Sequence, residues 1–267
     1  MTGRNYVLIT GASSGLGREF AIKCAQRGMN VLLFALPGGN TQSLAHELRL
    51  AFGVDAQAIE LDMTDSAELI STVNTIAERY PIQFLINNAG VGGTSSILQT
   101  SWERIDNIIQ LNVRSTTLIT RILIPHLMKH AQSYIMNISS MAAFSPIAYK
   151  TVYPASKAFI SSFSLSLREE LAGTGVSVSV VYPGPIMTNS YTARRIIAQG
   201  LKGKMGLLPT SSIAAIALAG TLGRQPTIVP GFMNKLNHLL MALLPGTWRL
   251  KIISRAVKKE ISFSVTA

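Results

Sequence analysis

Six short runs of continuous apolar residues alternate with helix-length amphipathic segments through the first 182 residues, an order that few architectures accept. The runs are residues 6–10, 30–36, 56–61, 83–87, 133–138 and 176–182, each rich in Val, Ile, Leu or Phe. Helical spacing fills 16–27, 41–52, 66–79, 101–129 and 154–172. Strands that are apolar at every position, rather than at alternate ones, must be buried on both faces, as in a parallel sheet with helices on each side. The expected fold is α/β, a doubly wound parallel sheet in a single domain.

Beyond Pro183 the pattern changes. Residues 189–200 and 210–222 read as helices around a Gly/Lys-rich loop, Gly200 to Gly206; 232–244 and 247–259 read as two more, divided by Pro245-Gly246. The chain thus divides into a body, residues 1–190, and a helical carboxyl-terminal extension of the same domain, residues 191–267. Charge follows this division. The net charge is +11, with 13 basic and 12 acidic residues in the body (net +1) and 11 basic and 1 acidic in the extension (net +10). A chain basic throughout would point to nucleic acid. A neutral body with a basic, apolar end points instead to an anionic surface or ligand met by that end. Charged residues make up only 14% of the chain, against about 25% in typical domains, which excludes disorder and favours an apolar partner.

The first strand runs into Thr10-Gly11-Ala12-Ser13-Ser14-Gly15-Leu16-Gly17, and a helical pattern follows at once. Glycines permit a tight turn and let backbone amides approach a pyrophosphate, which the helix N-terminus attracts. A nicotinamide dinucleotide is the expected cofactor, and its identity turns on the end of the second strand. A carboxylate there would bind the adenosine ribose hydroxyls and repel a 2′-phosphate. The stretch Phe34-Ala35-Leu36-Pro37-Gly38-Gly39-Asn40-Thr41 has none, so NADP is expected over NAD. Asn40, Thr41 and Ser43 could donate hydrogen bonds to the phosphate, and Arg18 could reach over from the first helix.

Tyr153 and Lys157 stand four apart, a spacing that brings both side chains to one helix face. Pro154 between them suits the first turn of a helix. A free tyrosine has a pKa of about 10. A neighbouring ammonium, together with a positive nicotinamide ring, would lower it and make the phenol a usable acid and base.

With these motifs in order, the sequence resembles the short-chain dehydrogenase/reductase family over residues 5 to about 188. Thr10, Gly11, Gly15 and Gly17 match its T-G-x-x-x-G-x-G turn; Asn87, Asn88, Ala89 and Gly90 match its N-N-A-G; Tyr153 and Lys157 match its Y-x-x-x-K. Ser140 falls on its serine and Asn112 on its helix asparagine. Asp62 matches the acidic residue that commonly contacts adenine, and Pro183, Gly184 and Thr188 its P-G…T element. The resemblance implies a Rossmann-type fold and assigns roles. Tyr153 would protonate a carbonyl oxygen as hydride arrives, or deprotonate an alcohol in reverse, and Ser140 would hydrogen-bond that oxygen. Lys157 would bind the nicotinamide ribose and depress the tyrosine pKa, and Asn112 would hold a water that relays protons. Members preferring NADP commonly carry a basic residue before the middle glycine or after the second strand; this sequence has Ser14 and Leu36 there.

The extension carries two further signals. Phe232, Met233, Leu236, Leu239, Leu240, Leu243 and Leu244 follow helical spacing, and the next segment sets Trp248, Ile252, Ile253, Ala256 and Val257 against Arg249, Lys251, Arg255, Lys258 and Lys259. A basic amphipathic helix with Trp at its start suits an anionic membrane interface. It suits equally a helix packed on its own domain or across a dimer. Met205, Leu207 and Leu208 beside Lys202 and Lys204 suggest a hydrophobic carbonyl or alcohol substrate, with an anionic head group open. Nucleic acid is not expected, because the basic segment has no interleaved aromatic platform.

A single cysteine, Cys24, fits a reducing compartment and reads as a core thiol. His126 and His130 would share a helix face without a third ligand, so no metal is expected. The N-terminal run lacks the length of a signal peptide, and no run approaches the ~18 apolar residues of a spanning helix. The expectation is therefore a cytoplasmic, homo-oligomeric NADP(H)-dependent oxidoreductase, with membrane association open. The alternative is a catalytically weak cofactor-binding protein, a redox sensor or membrane-surface scaffold. The complete set of Asn112, Ser140, Tyr153 and Lys157 argues for the enzyme.

Overall fold

In a computed structural model that describes residues 5–186 and 206–265, the strands are β1 (Tyr6–Thr10), β2 (Asn30–Ala35), β3 (Ala56–Glu60), β4 (Ile82–Asn87), β5 (Ser133–Ile138), β6 (Val176–Val181) and β7 (Thr227–Ile228). They form one sheet in the order β3-β2-β1-β4-β5-β6-β7. Every pairing is parallel. From β1 the chain winds outward through β2 and β3, then crosses back to lay β4 on the other side of β1. That reversal opens a crevice above the carboxyl ends of β1 and β4, where sheets of this kind bind ligands.

The helices are α1 (Gly15–Ala25), α2 (Thr41–Phe52), α3 (Ser66–Arg79), α4 (Trp102–Ile109), α5 (Thr116–Leu127), α6 (Val152–Glu170), α7 (Thr210–Leu222), α8 (Phe232–Leu243) and α9 (Gly246–Val265). Alternate residues of the strands serve two cores. Val7, Ile9 and Leu33 meet Leu16 and Phe20 of α1, Leu44 and Leu48 of α2, and Ile213 and Ala217 of α7 on one face. Leu8, Leu32 and Phe34 meet Leu69 and Val73 of α3, Leu123 of α5 and Leu167 of α6 on the other. The continuous apolar strands are thus explained by burial on both sides. Phe20, Phe34 and Phe84 are fully buried, each contributing about 1.5–3 kcal/mol. Asp65 caps α3, its Oδ1 accepting from Ala67 N and Glu68 N at 2.9 and 3.1 Å.

The departures from expectation are local. The single helix expected over 101–129 is α4 and α5 joined by one π-helical turn, Gln110–Ser115, which carries the buried Asn112. The two-residue β7 was not foreseen; with Thr227 exposed it shows no strand-length pattern. His130 lies beyond the end of α5 at Leu127, so it does not share a helix face with His126. Cys24 is fully buried, and burial pushes its thiol up to about 12, which makes it inert. The helix expected over 189–200, with Lys202, Lys204 and Met205, lies outside the described residues. Leu208, expected to face a substrate, packs against the core instead. Among the described residues no helix is long and apolar enough to cross a membrane.

Candidate active site

β1 ends at Thr10, whose buried hydroxyl joins the two strands of the crevice. Its Oγ1 accepts from the backbone N–H of Asn88 and of Ala89, each at 3.0 Å. Asn88 Nδ2 donates back to the carbonyls of Thr10 and Gly11 at 3.0 and 3.2 Å. The glycine turn is therefore held to the end of β4. Gly11 has φ +68°, a left-handed conformation that favours glycine. Gly17 is required for another reason: a Cβ there would lie 2.0 Å from the Gly11 carbonyl oxygen, so α1 could not close on its own turn.

Ser14 stands at the N-cap of α1 without a side-chain capping bond, so the first amides of that helix have no cap oxygen of their own. The Leu16 side chain lies in the core, leaving only its backbone to face the crevice. Backbone donors at a helix N-terminus, reached over glycine at a reversal of strand order, fit a dinucleotide pyrophosphate. Ser13 flanks the start of α2, where a Cβ on Gly39 would lie 3.1 Å from Ser13 Cβ.

Beyond β2, Leu36 is 58% exposed. Asn40 is the N-cap of α2 and makes no side-chain capping bond. Two other candidates for a 2′-phosphate turn away: Arg18 pairs with Glu47 at 3.3 Å, and Ser43 Oγ donates to the same carboxylate at 3.2 Å. Thr41 is fully buried. Asp62, exposed past β3, accepts from Thr64 N and Thr64 Oγ1 at 2.9 and 2.8 Å, which fixes its orientation at the crevice edge.

Tyr153 and Lys157 lie in the opening turns of α6, with Pro154 between them. Ser140 follows β5 and caps a short 3₁₀ turn, Met141–Phe144, its Oγ accepting from Ala142 N at 3.1 Å. The carbonyl of Pro183 accepts from Met141 N at 3.0 Å. The Ser140 hydroxyl stands close enough to the Tyr153 phenol to favour its ionised form. Lys157 is buried; its Nζ donates to the Ile138 carbonyl at 2.9 Å and lies 6.0 Å from the centre of the Tyr153 ring. The loop after β4 runs against Asn112, Lys157 and Tyr153. A Cβ on Gly90 would lie 3.0 Å from Asn112 Oδ1 and 3.2 Å from Lys157 Nζ, and one on Gly92 would lie 3.0 Å from the Tyr153 ring. A side chain at either position would require these neighbours to give by a few tenths of an ångström.

Asn112 clamps that loop. Its Oδ1 accepts from Val91 N, and its Nδ2 donates to Val91 O and to Ser156 Oγ, all at 2.9 Å. Deeper in the sheet, Asn87 Nδ2 donates to Asn137 Oδ1 at 2.8 Å and Thr120 Oγ1 at 3.0 Å, and Asn137 Nδ2 to Ser164 Oγ at 2.8 Å. This buried chain stitches β4, β5, α5 and α6 together behind the tyrosine.

The electrostatics correct one expectation. Burial raises the Tyr153 phenol above its ordinary value, and the Ser140 hydroxyl acts against that. The ammonium expected to lower it is itself desolvated: burial brings Lys157 down to about 8. Desolvation sets the direction, and Ser140, not Lys157, is the group that lowers the phenol.

Sequence reasoning missed Asn234, a buried residue of α8. Its Nδ2 donates to Gly206 O at 2.9 Å and Pro230 O at 2.8 Å, and a Cβ on Gly184 would lie 2.6 Å from its Oδ1. It ties Gly206 to Pro230 and packs against Gly184. No sequence signal separates it from Asn237 on the same helix. Thr188, expected in one element with Pro183 and Gly184, lies outside the described residues.

A family model described as short chain dehydrogenase matches residues 5–196. An uncharacterized oxidoreductase of Myxococcus xanthus is 38% identical over 178 residues, 66% of this chain and 70% of that protein. Ketoacyl reductase HetN of Nostoc sp. is 31% identical over 246 residues, 91% of this chain and 84% of that one. Among solved structures, a short-chain dehydrogenase from Sphingobium yanoikuyae in complex with NADPH is similar with a TM-score of 0.77 at 29% identity, over 90% of this chain and 96% of that chain.

Proposed function

The chain belongs to the short-chain dehydrogenase/reductase family, an NAD(P)-dependent oxidoreductase, and from that premise we propose that it interconverts a carbonyl and an alcohol on a hydrophobic small molecule with NADP(H). The observation that carries this reading is the convergence of Ser140, Tyr153 and Lys157 on one end of the crevice. When bound, the nicotinamide supplies or accepts a hydride. Tyr153 gives its phenolic proton to the carbonyl oxygen in reduction and takes a proton from the alcohol in oxidation. Ser140, beside that phenol, donates its hydroxyl proton in a hydrogen bond to the same substrate oxygen as negative charge develops on it. Lys157 holds the ribose hydroxyls beside the phenol. Asn112 fixes the Gly90–Val91 backbone against both groups, and its side-chain bonds leave the proton-relaying water to its neighbourhood rather than to its amide.

NADP is preferred, in this reading, because the end of β2 carries no carboxylate to repel a 2′-phosphate. With Arg18 and Ser43 both turned to Glu47, Asn40 and the start of α2 are the groups left to meet it. Ser13, Ser14, Gly15, Asp62, Pro183 and Gly184 line the remaining cofactor path, with Thr188 expected to join them. The test is NADPH oxidation with a panel of carbonyls from polar to lipid-like. Absence of turnover with every carbonyl while NADPH binds would favour a cofactor-binding sensor instead.

The extension supports a peripheral, cytoplasmic membrane contact. α9 packs on the body through Val257 and leaves Trp248, Leu250 and Ile252 exposed beside Lys251 and Arg255. The excess of positive charge in 191–267 favours an anionic lipid surface over a second copy of the same basic chain. Sedimentation with anionic vesicles, compared with the oligomeric state in solution, distinguishes the two.

A further inference from the structure

Two successive helices of the extension each expose a ridge of large apolar side chains: Phe232, Leu239, Leu240 and Leu243 on α8, Trp248 and Ile252 on α9. On α8 the four recur at helical spacing and share one stripe. Phe232, Leu243 and Trp248 are 76%, 74% and 63% exposed, more than a packed helix leaves uncovered. Lys235, Lys251, Arg255 and Lys258 are exposed on the same two helices.

The inward side of these helices is built into the walls of the active site. The His238 ring stacks on Phe144 at 3.9 Å between centres, and Phe144 closes the turn that Ser140 opens. Phe144 in turn packs on Tyr182 at 4.5 Å. Ser254 Oγ of α9 accepts from Ala148 N at 3.1 Å, in the loop between Ser140 and Tyr153. Asn234 packs closely against Gly184, after Pro183. The exposed ridges and the segments bearing the reacting groups are therefore opposite sides of the same helix pair.

Resting on the oxidoreductase and membrane readings above, we propose that the enzyme takes its substrate from the bilayer: the ridges seat in an anionic lipid surface beside the mouth of the site, and the substrate is a membrane-dissolved carbonyl or alcohol with a long apolar tail. Basic side chains bring the protein to the surface, so binding weakens as salt rises. The apolar ridges enter the headgroup boundary, and a lipid-soluble ketone reaches Tyr153 without crossing water.

The experiment uses the full chain with NADPH and two ketones of the same reacting group, one long-chain and vesicle-dissolved, one short and water-soluble. Phosphatidylcholine vesicles with and without about 30% phosphatidylserine are compared. Anionic vesicles are expected to raise long-chain turnover by about tenfold and to leave the short ketone within about twofold. In a Trp102→Phe background, Trp248 emission is expected to shift to the blue on the same vesicles. Leu239→Glu/Leu243→Glu is expected to lose the shift and the stimulation while keeping short-ketone turnover. Binding without selective stimulation would overturn the substrate route and leave the membrane contact standing. No binding, or a dimer dissociated by the double variant, would overturn both. No turnover of either ketone would remove the oxidoreductase reading and this one with it.

Discussion

Lys157 donates from Nζ to the carbonyl oxygen of Ile138, 2.9 Å away and two residues before Ser140. The ammonium is thereby aimed at the site, and its burial is opposed by that single protein bond. Its pKa falls from 10.5 to about 8. Below about pH 8 both folded and unfolded chains carry the proton, so the full penalty of the buried charge stands. Between about 8 and 10.5 the unfolded chain holds a proton that the folded one has lost, and stability from this group rises with pH. Lys157→Met should therefore melt at a higher temperature than the parent at pH 7, by on the order of 1–2 kcal/mol once the lost bond is subtracted. The gain should shrink towards pH 10, and turnover should be lost. A lower melting temperature at pH 7 would show that the lysine stabilises rather than strains the fold.

Tyr153→Phe keeps the ring against Gly92 and removes only the hydroxyl. Turnover should fall by about 10³-fold or more, while NADPH binding, followed by its fluorescence, stays near the parent value. Retained activity would sink the acid/base assignment. Ser140→Ala should cost about 10²-fold, chiefly in kcat, because its bond forms to the developing charge.

Gly17→Ala tests the turn. Its Cβ has no room beside the Gly11 carbonyl, so NADPH binding should disappear and stability drop by about 3 kcal/mol or more. Gly28→Ala is the control: nothing lies within 4 Å, but φ is +71°, so only backbone strain of about 1 kcal/mol is expected, with cofactor binding intact. Equal losses in the two variants would refute the steric account.

Leu36→Asp supplies the carboxylate that the end of β2 lacks. The ratio of NADPH to NADH affinity should fall by about tenfold or more, measured by titration with each reduced cofactor. An unchanged ratio would mean that the 2′-phosphate, if bound, sits elsewhere.

Much of this architecture could be read from the chain. Six strands ended within about one residue of their expected runs; five are buried on both faces, which apolar sequence records, while the edge strand β3 is only partly buried beyond Ala56. The glycine turn was legible because two of its needs are local: Gly11 has a left-handed φ, and Gly17 lies against the Gly11 carbonyl. Asn112 was found by motif, but its clamp was not, since its side-chain partners are Val91 and Ser156, far along the chain, which hydrophobic periodicity cannot see. Asn234 escaped for the same reason: its partners are Gly206 and Pro230, and against it lies Gly184 in another part of the chain. The tyrosine's environment was misjudged because spacing shows a lysine nearby and does not show how much water both have lost.

Thr10 and Asn88, whose side chains pin the glycine turn, are 78 positions apart. A chain emerging during synthesis has the whole turn in hand long before the residue that secures it, and Tyr153 and Lys157 come later still. The nucleotide pocket is thus a late product of translation, although its signature is the first motif to be made. Cofactor cannot template the early chain; it can only lock a body that is nearly finished, and a truncated product stopped after β3 would display the motif and hold nothing.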